Sequence, residues 1–297
     1  MRENMTDVNS HNVIMPVLFI GHGSPMNAVM SNTFTEHLSA AGKAIKPRPA
    51  AILVVSAHWL TTDGSYVSTT PKPDTIYDFS GFPDELYNIV YPAPGSPATA
   101  ELAIENAPYI KQDPSWGLDH GAWTILKHLY PQADIPVCQL SIDYHKPMSY
   151  HFELGKKLGE LRKQGVLIIG SGNIVHNLML IDFDDNAKPF DWAVEFDSWV
   201  KSVIDSRNFE DLLSYEKMGR SAKLSVPTVD HYVPLLYTLG AAGKDEPFEY
   251  FHEGFDYSTL SMRCLKAGLC LDLLSISTPL LENPNHRLGF LKTIMAY

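Results

Sequence analysis

The sequence predicts an α/β fold, a central mostly parallel mixed sheet flanked by helices, with a reaction site at the strand ends. Short runs rich in Val, Ile and Leu alternate along the chain with amphipathic stretches. Such runs suit central strands buried on both faces. No repeat or low-complexity tract interrupts the series.

The predicted strands are MPVLFIG (15–21), AAILVVSAHW (50–59), IPVCQLSI (135–142) and VLIIGSG (166–172), with two later runs, PFEYFHEGF and STLSMRCL. A helix is expected at 97–107, where Ser96 can cap and Pro97 suits the first turn, and another at 147–163, ending before Gly165. Further helices are expected at 121–129, 190–205 and 229–240.

The 297 residues, 45% hydrophobic and 19% charged, are enough for one large domain or two small ones. A formal net charge of -11 argues against nucleic acid or an anionic membrane as a partner, since both require clustered Lys and Arg. Three cysteines, Cys138, Cys264 and Cys270, form no CxxC pair, so free thiols in a reducing compartment are expected. The polar opening MRENMTDVNSHNV lacks the apolar stretch of a secretory signal, and no run approaches the ~20 apolar residues of a membrane span. A cytoplasmic location is expected.

From Thr70 to Ser96 runs a segment dense in proline, glycine and aromatics. Loops this long inside a compact domain are usually functional. Tyr77, Phe79, Phe82, Tyr87 and Tyr91 either wall a pocket for a flat substrate or pin the loop to the body.

The twelve histidines carry the chemistry. Ligands of α/β sheets gather beyond the carboxyl ends of the strands. His22 stands just past the first strand in GHGSP, His58 ends the second in SAHW, His176 comes after the 166–172 strand in SGNIVHN, and His231 opens a helix in TVDHYVPLL. Each taken alone has a structural reading as a hydrogen-bonded histidine. Together, with the small neighbours Gly21, Gly23, Ser56 and Gly172, they suit a metal ion, because neutral imidazole is a common metal ligand. His120 precedes a helix, whose N-terminal partial charge disfavours the imidazolium, so it is either a cap or a neutral acid/base group. His11, His37, His128, His145, His151, His252 and His286 are read as structural or solvent-facing, and most Asp and Glu as solvated surface.

Competing motifs are absent or incomplete. Gly170-Ser-Gly172 lacks the third glycine of a dinucleotide fingerprint, and there is no P-loop, HExxH or GxSxG.

GHGSPMN, SAHW, the loop with IYDFSGFP and YPAPGSP, WGLDHGAW, QLSID, SGNIVHNL and HYVPLLYTLGA, in that order, resemble the DOPA 4,5-dioxygenase branch of the class III extradiol ring-cleavage dioxygenases. The resemblance runs from about Met15 to Gly268. It implies one α/β catalytic domain over 15–268, with a polar tail at 1–14 and a C-terminal extension at 269–297 that has no counterpart in the pattern. It places His22, His58 and His231 as metal ligands and His176 beside the metal as acid/base, completing coordination when the site is empty. His120 becomes a histidine near substrate and oxygen, and Asp230 points elsewhere.

The implied reaction inserts both atoms of O2 into a small catecholic substrate such as DOPA, beside the vicinal diol. One divalent metal ion per chain is expected, Fe(II) for activity, with Zn(II) able to occupy an all-histidine site. The protein would work as a monomer or small homo-oligomer. The alternatives are a zinc-dependent hydrolase or lyase, which also uses three histidines and an open position, and a non-catalytic metal-binding protein on the same fold.

Overall fold

The computed structural model describes residues 13–184 and 187–268. The predicted tails, apart from Val13 and Ile14, lie outside the described residues, as do His11, Cys270 and His286.

The strands are β1 (Val17–Gly21), β2 (Ala51–Thr61), β3 (Tyr66–Ser68), β4 (Lys111–Asp113), β5 (Val137–Asp143), β6 (Val166–Gly172), β7 (Phe248–His252), β8 (Phe255–Asp256), β9 (Leu260–Ser261) and β10 (Cys264–Ala267). The helices are α1 (Thr33–Ala44), α2 (Asp84–Tyr87), α3 (Pro97–Asn106), α4 (His120–Leu129), α5 (Met148–Leu158), α6 (Asp191–Ser206), α7 (Phe209–Leu212), α8 (Arg220–Ser225) and α9 (Val233–Ala241).

Eight strands form one mixed sheet in the order β4-β3-β5-β2-β6-β1-β10-β7, and β8 pairs with β9 separately. The four central strands β5, β2, β6 and β1 are mutually parallel. β10 runs antiparallel to both β1 and β7. Val17 of β1 therefore faces Ile168 of β6 on one side and Ala267 of β10 on the other.

Successive side chains of a strand point to opposite faces, and the sheet is covered on both. Leu18 and Ile20 of β1 enter a cluster with Phe34 and Leu38 of α1 and Trp123 and Leu126 of α4. Val17 joins Leu154 and Leu158 of α5 and Tyr237 of α9, while Phe19 meets Phe196 and Val200 of α6. A slip of one residue would exchange these sets, so the register is tightly specified.

Core strands match the sequence expectation to within two residues at each end, and β6 matches throughout. The run PFEYFHEGF breaks at Glu253 and Gly254 into β7 and β8, and STLSMRCL divides into β9 and β10. Helix α5 passes into a 3-10 turn over Gly159–Gln164, which together cover the single helix expected at 147–163. Ser96 does not cap α3 as expected: its hydroxyl donates to Thr99 Oγ1 at 2.8 Å, leaving the backbone N–H groups aside. Helix α9 starts at Val233 with Pro234 in its first turn, so His231 lies in the lead-in segment instead of inside the helix. The elements α1, α2, α7, α8, β3 and β4 come in addition to those the sequence pattern predicts. Among the described residues no helix is long and apolar enough to cross a membrane.

Candidate metal centre

Strands β2, β6 and β1 are neighbours, so residues at and beyond their carboxyl ends are brought together. His22 comes directly after β1, and its backbone N–H donates to Gly172 O at 3.0 Å. His58 lies on β2 where its pairing with β5 is interrupted between Val55 and Leu60. His231 is drawn in by the turn after β6, whose Asn173 N–H donates to His231 O at 2.9 Å. That approach requires glycine at 172, since a Cβ there would stand 2.2 Å from His231 O.

The three rings form a triangle, with centroids 5.0 Å apart for His22–His58, 5.3 Å for His22–His231 and 5.0 Å for His58–His231. Each has its Nδ1 engaged from behind. His22 Nδ1 lies 3.0 Å from Ser171 Oγ, which itself donates to Gly121 O at 2.6 Å and so accepts from the ring. His231 Nδ1 meets the carboxylate of Asp230, and His58 Nδ1 lies 3.2 Å from Asp78 Oδ2. The Nε2 atoms are what remains. His22 Nε2 and His58 Nε2 face one another at 3.1 Å, and His231 Nε2 is buried without a hydrogen-bond partner.

One ligand atom from each of these histidines lies within 4.8 Å of the others. Burial, reinforced by neighbouring imidazoles, pushes His22 and His58 well below the usual histidine pKa of 6.5. They are neutral donors with lone pairs free, which is what a divalent metal needs. The residues fit a metal ion.

His176 stands outside that triangle and stacks on His231, joining a second cluster with Asp230 and His231. Burial, then the neighbouring His231, lowers its pKa to about 2. His120 is the first residue of α4, and its ring centroid is 3.9 Å from that of His58. Asp119 caps the helix by accepting from Ala122 N at 3.1 Å, so His120 itself is not the cap. Asp78 Oδ1 accepts the His120 backbone N–H at 2.9 Å, and its Oδ2 lies 2.9 Å from His120 Nδ1.

All five candidate histidines thus meet in one place. The remaining described ones do not: His128 Nε2 lies 2.8 Å from Asn27 O, His151 pairs with Tyr237, and His37 faces His252.

Several acids expected on solvated surface are instead part of the centre. Asp78 and Asp230 stand behind the rings of His58 and His231. Asp119, fully buried, accepts from Ser56 Oγ at 2.7 Å and Gln139 Nε2 at 2.7 Å, and burial raises its carboxyl to about 6. The aromatic loop is pinned to the body, as one of its two expected readings has it. Tyr91 is buried and donates to Tyr130 O at 2.9 Å, pinning the loop, while Phe79 stands edge-on to His120 with centroids 5.5 Å apart.

Comparison with known proteins gives concordant results. The family described as the catalytic LigB subunit of aromatic ring-opening dioxygenase matches residues 8–264. The chain is 42% identical over 271 residues to the 4,5-DOPA dioxygenase extradiol of Escherichia coli (strain K12), a match covering 88% of this chain and 98% of that one. It is 40% identical over 264 residues to the protein of the same name from Beta vulgaris, covering 86% and 97%. The crystal structure of an uncharacterized protein, JW3007, from Escherichia coli K12 superposes with a TM-score of 0.75 at 42% identity, over 86% of this chain and 100% of the other.

Proposed function

We propose, from the premise that this chain belongs to the LigB family of aromatic ring-opening dioxygenases, that it opens a catechol such as DOPA beside the vicinal diol, using O2 and one divalent metal. The observation that carries the metal reading is the convergence of three Nε2 edges, each backed at Nδ1. His22, His58 and His231 would hold the ion. When bound, a redox-active metal such as Fe(II) supplies a Lewis-acid centre that gathers catechol and O2 and lets electrons pass between them.

The protein's own groups do the rest. His176, neutral through burial, is free to take a catechol proton, and the cost of charging it falls once a catecholate stands beside it. His120, with Nδ1 turned to Asp78, presents its other nitrogen to reacting oxygen as donor or acceptor. Phe79 gives the His120 side an apolar edge against which a flat ring can lie. Cys138 and Cys264, both buried free thiols, fit work in the reducing cytoplasm.

Metal removal and then separate reconstitution with Fe(II) and Zn(II) tests the reading. Zn(II) has no accessible redox state, so iron alone should yield a yellow semialdehyde-type product with matched O2 uptake. Equal turnover with zinc under iron-free conditions would overturn the electron-transfer argument. Ester or amide hydrolysis without O2 uptake would favour the hydrolase alternative, and no turnover across a catechol panel the non-catalytic one.

A further inference from the structure

Asp78 lies in the long segment between β3 and α3, yet its carboxylate reaches two rings of the centre. Its Oδ2 is 2.9 Å from His120 Nδ1 and 3.2 Å from His58 Nδ1, while Oδ1 takes the His120 backbone N–H at 2.9 Å. A carboxylate only accepts, and a neutral imidazole carries one N–H. His120 therefore donates from Nδ1 to Oδ2, and at 3.2 Å the negative oxygen favours a proton over a lone pair on His58 Nδ1 as well. His58 Nε2, the atom facing His22 Nε2, is then left with a lone pair.

The segment is held firmly enough to do this. Ile76 N–H donates to Leu118 O at 2.7 Å, Leu118 N–H donates to Asp74 O at 2.8 Å, and Trp123 Nε1 donates to Ile76 O at 2.9 Å. Helix α4 has its own cap in Asp119, so Asp78 is not needed to start the helix.

We propose that Asp78 is a positioning residue that sets the tautomers of His58 and His120 together, so that metal retention and proton handling depend on one carboxylate. This rests on the ligand set proposed above. Partners of this kind orient metal-bound histidines, and their loss typically weakens metal binding about 10–100-fold.

The test compares the full chain with its Asp78→Asn, Asp78→Ala and His58→Ala variants, measuring Kd for Zn(II) and for Fe(II) by chelator competition. In Asp78→Asn the amide oxygen can still meet the His120 N–H, but an NH2 group faces the two rings. Both Asp78 variants should bind either metal about 10–100-fold more weakly, and the iron-saturated variants should lose kcat with KM little changed. Nitrogen NMR of the zinc-loaded wild type provides a readout independent of variant folding. His58 and His120 should both carry the proton on Nδ1, and a proton on Nε2 of either ring would overturn the inference. So would wild-type Kd in both Asp78 variants while His58→Ala loses its metal. Full metal occupancy in His58→Ala would instead overturn the ligand set on which the inference rests.

Discussion

The imidazoles of His176 and His231 lie face to face, with ring centroids 3.4 Å apart and planes within 4°. Stacking leaves the ring edges of both free while pressing the faces together, so neither ring can take a charge without the other feeling it. His176 is for this reason cast as a proton carrier whose charge must be offset by substrate, and His120, backed by Asp78, as its counterpart. Gln at either position should retain bound metal yet lose roughly 10²-fold or more in turnover, the usual scale for a missing acid/base group. Metal analysis alongside single-turnover kinetics distinguishes the cases. Metal loss from the His176→Gln protein would make that residue a fourth ligand.

Alanine at His22, His58 or His231 should sharply reduce metal occupancy while the circular dichroism spectrum stays that of the parent. His231→Ala should also destabilise the chain by about 1–3 kcal/mol, because the Asp230 carboxylate loses its buried ring partner. Full occupancy in any two of the three variants would sink the assignment.

Gly172→Ala is expected to be costly on two counts. The new methyl would meet the His231 carbonyl oxygen at 2.2 Å, so the turn after β6 must part from the His231 segment. Overpacking of this kind costs about 1–3 kcal/mol, and the displaced ring should bind metal more weakly. A urea midpoint equal to that of the parent would count against the close approach.

His151 gives a pH prediction. Burial lowers its pKa from 6.5 to about 4, partly opposed by the Lys146 backbone and Asp143, and its Nδ1 lies 3.0 Å from Tyr237 OH. A depressed histidine pKa means that the unfolded chain binds the extra proton first. Stability from the neutral ring is therefore complete above pH 6.5 and declines as pH falls toward 4. Between pH 7 and 5 the parent should lose about 1–2 kcal/mol more than a His151→Gln variant, read from urea midpoints at the two pH values. Parallel pH profiles would exclude the effect.

Strands β1, β2, β5 and β6 are legible in the sequence because central parallel strands must be apolar on both faces, and the histidines beyond them are legible because strand ends are where side chains converge. Helix α1 carries a signal that hydrophobic periodicity misses. Asn32 accepts from Thr35 N at 2.9 Å while Thr35 Oγ1 accepts from Asn32 N at 3.0 Å, a reciprocal cap at the head of TFTEHLSAAGKA. β3 and β4 are three residues each, and β4 is wholly polar, so periodicity has nothing to act on. Asp78 is hidden for another reason. Its partners, His58 and His120, lie on β2 and α4, and only the tertiary path of the intervening loop makes an ordinary-looking acid a neighbour of both rings.

The placement of β1 between β6 and β10 constrains how the chain can assemble. A strand near the start of the chain must wait for one near the end of the described residues before both its flanks are paired, so the contacts that finish the sheet have high sequence separation and form slowly. During synthesis β1 emerges first and its β10-facing side stays an open, fully apolar edge until Cys264–Ala267 has left the ribosome. Such an edge is a template for pairing with other chains. Products terminated before β10 should therefore aggregate, leaving nascent chains of this enzyme dependent on chaperones over most of their length.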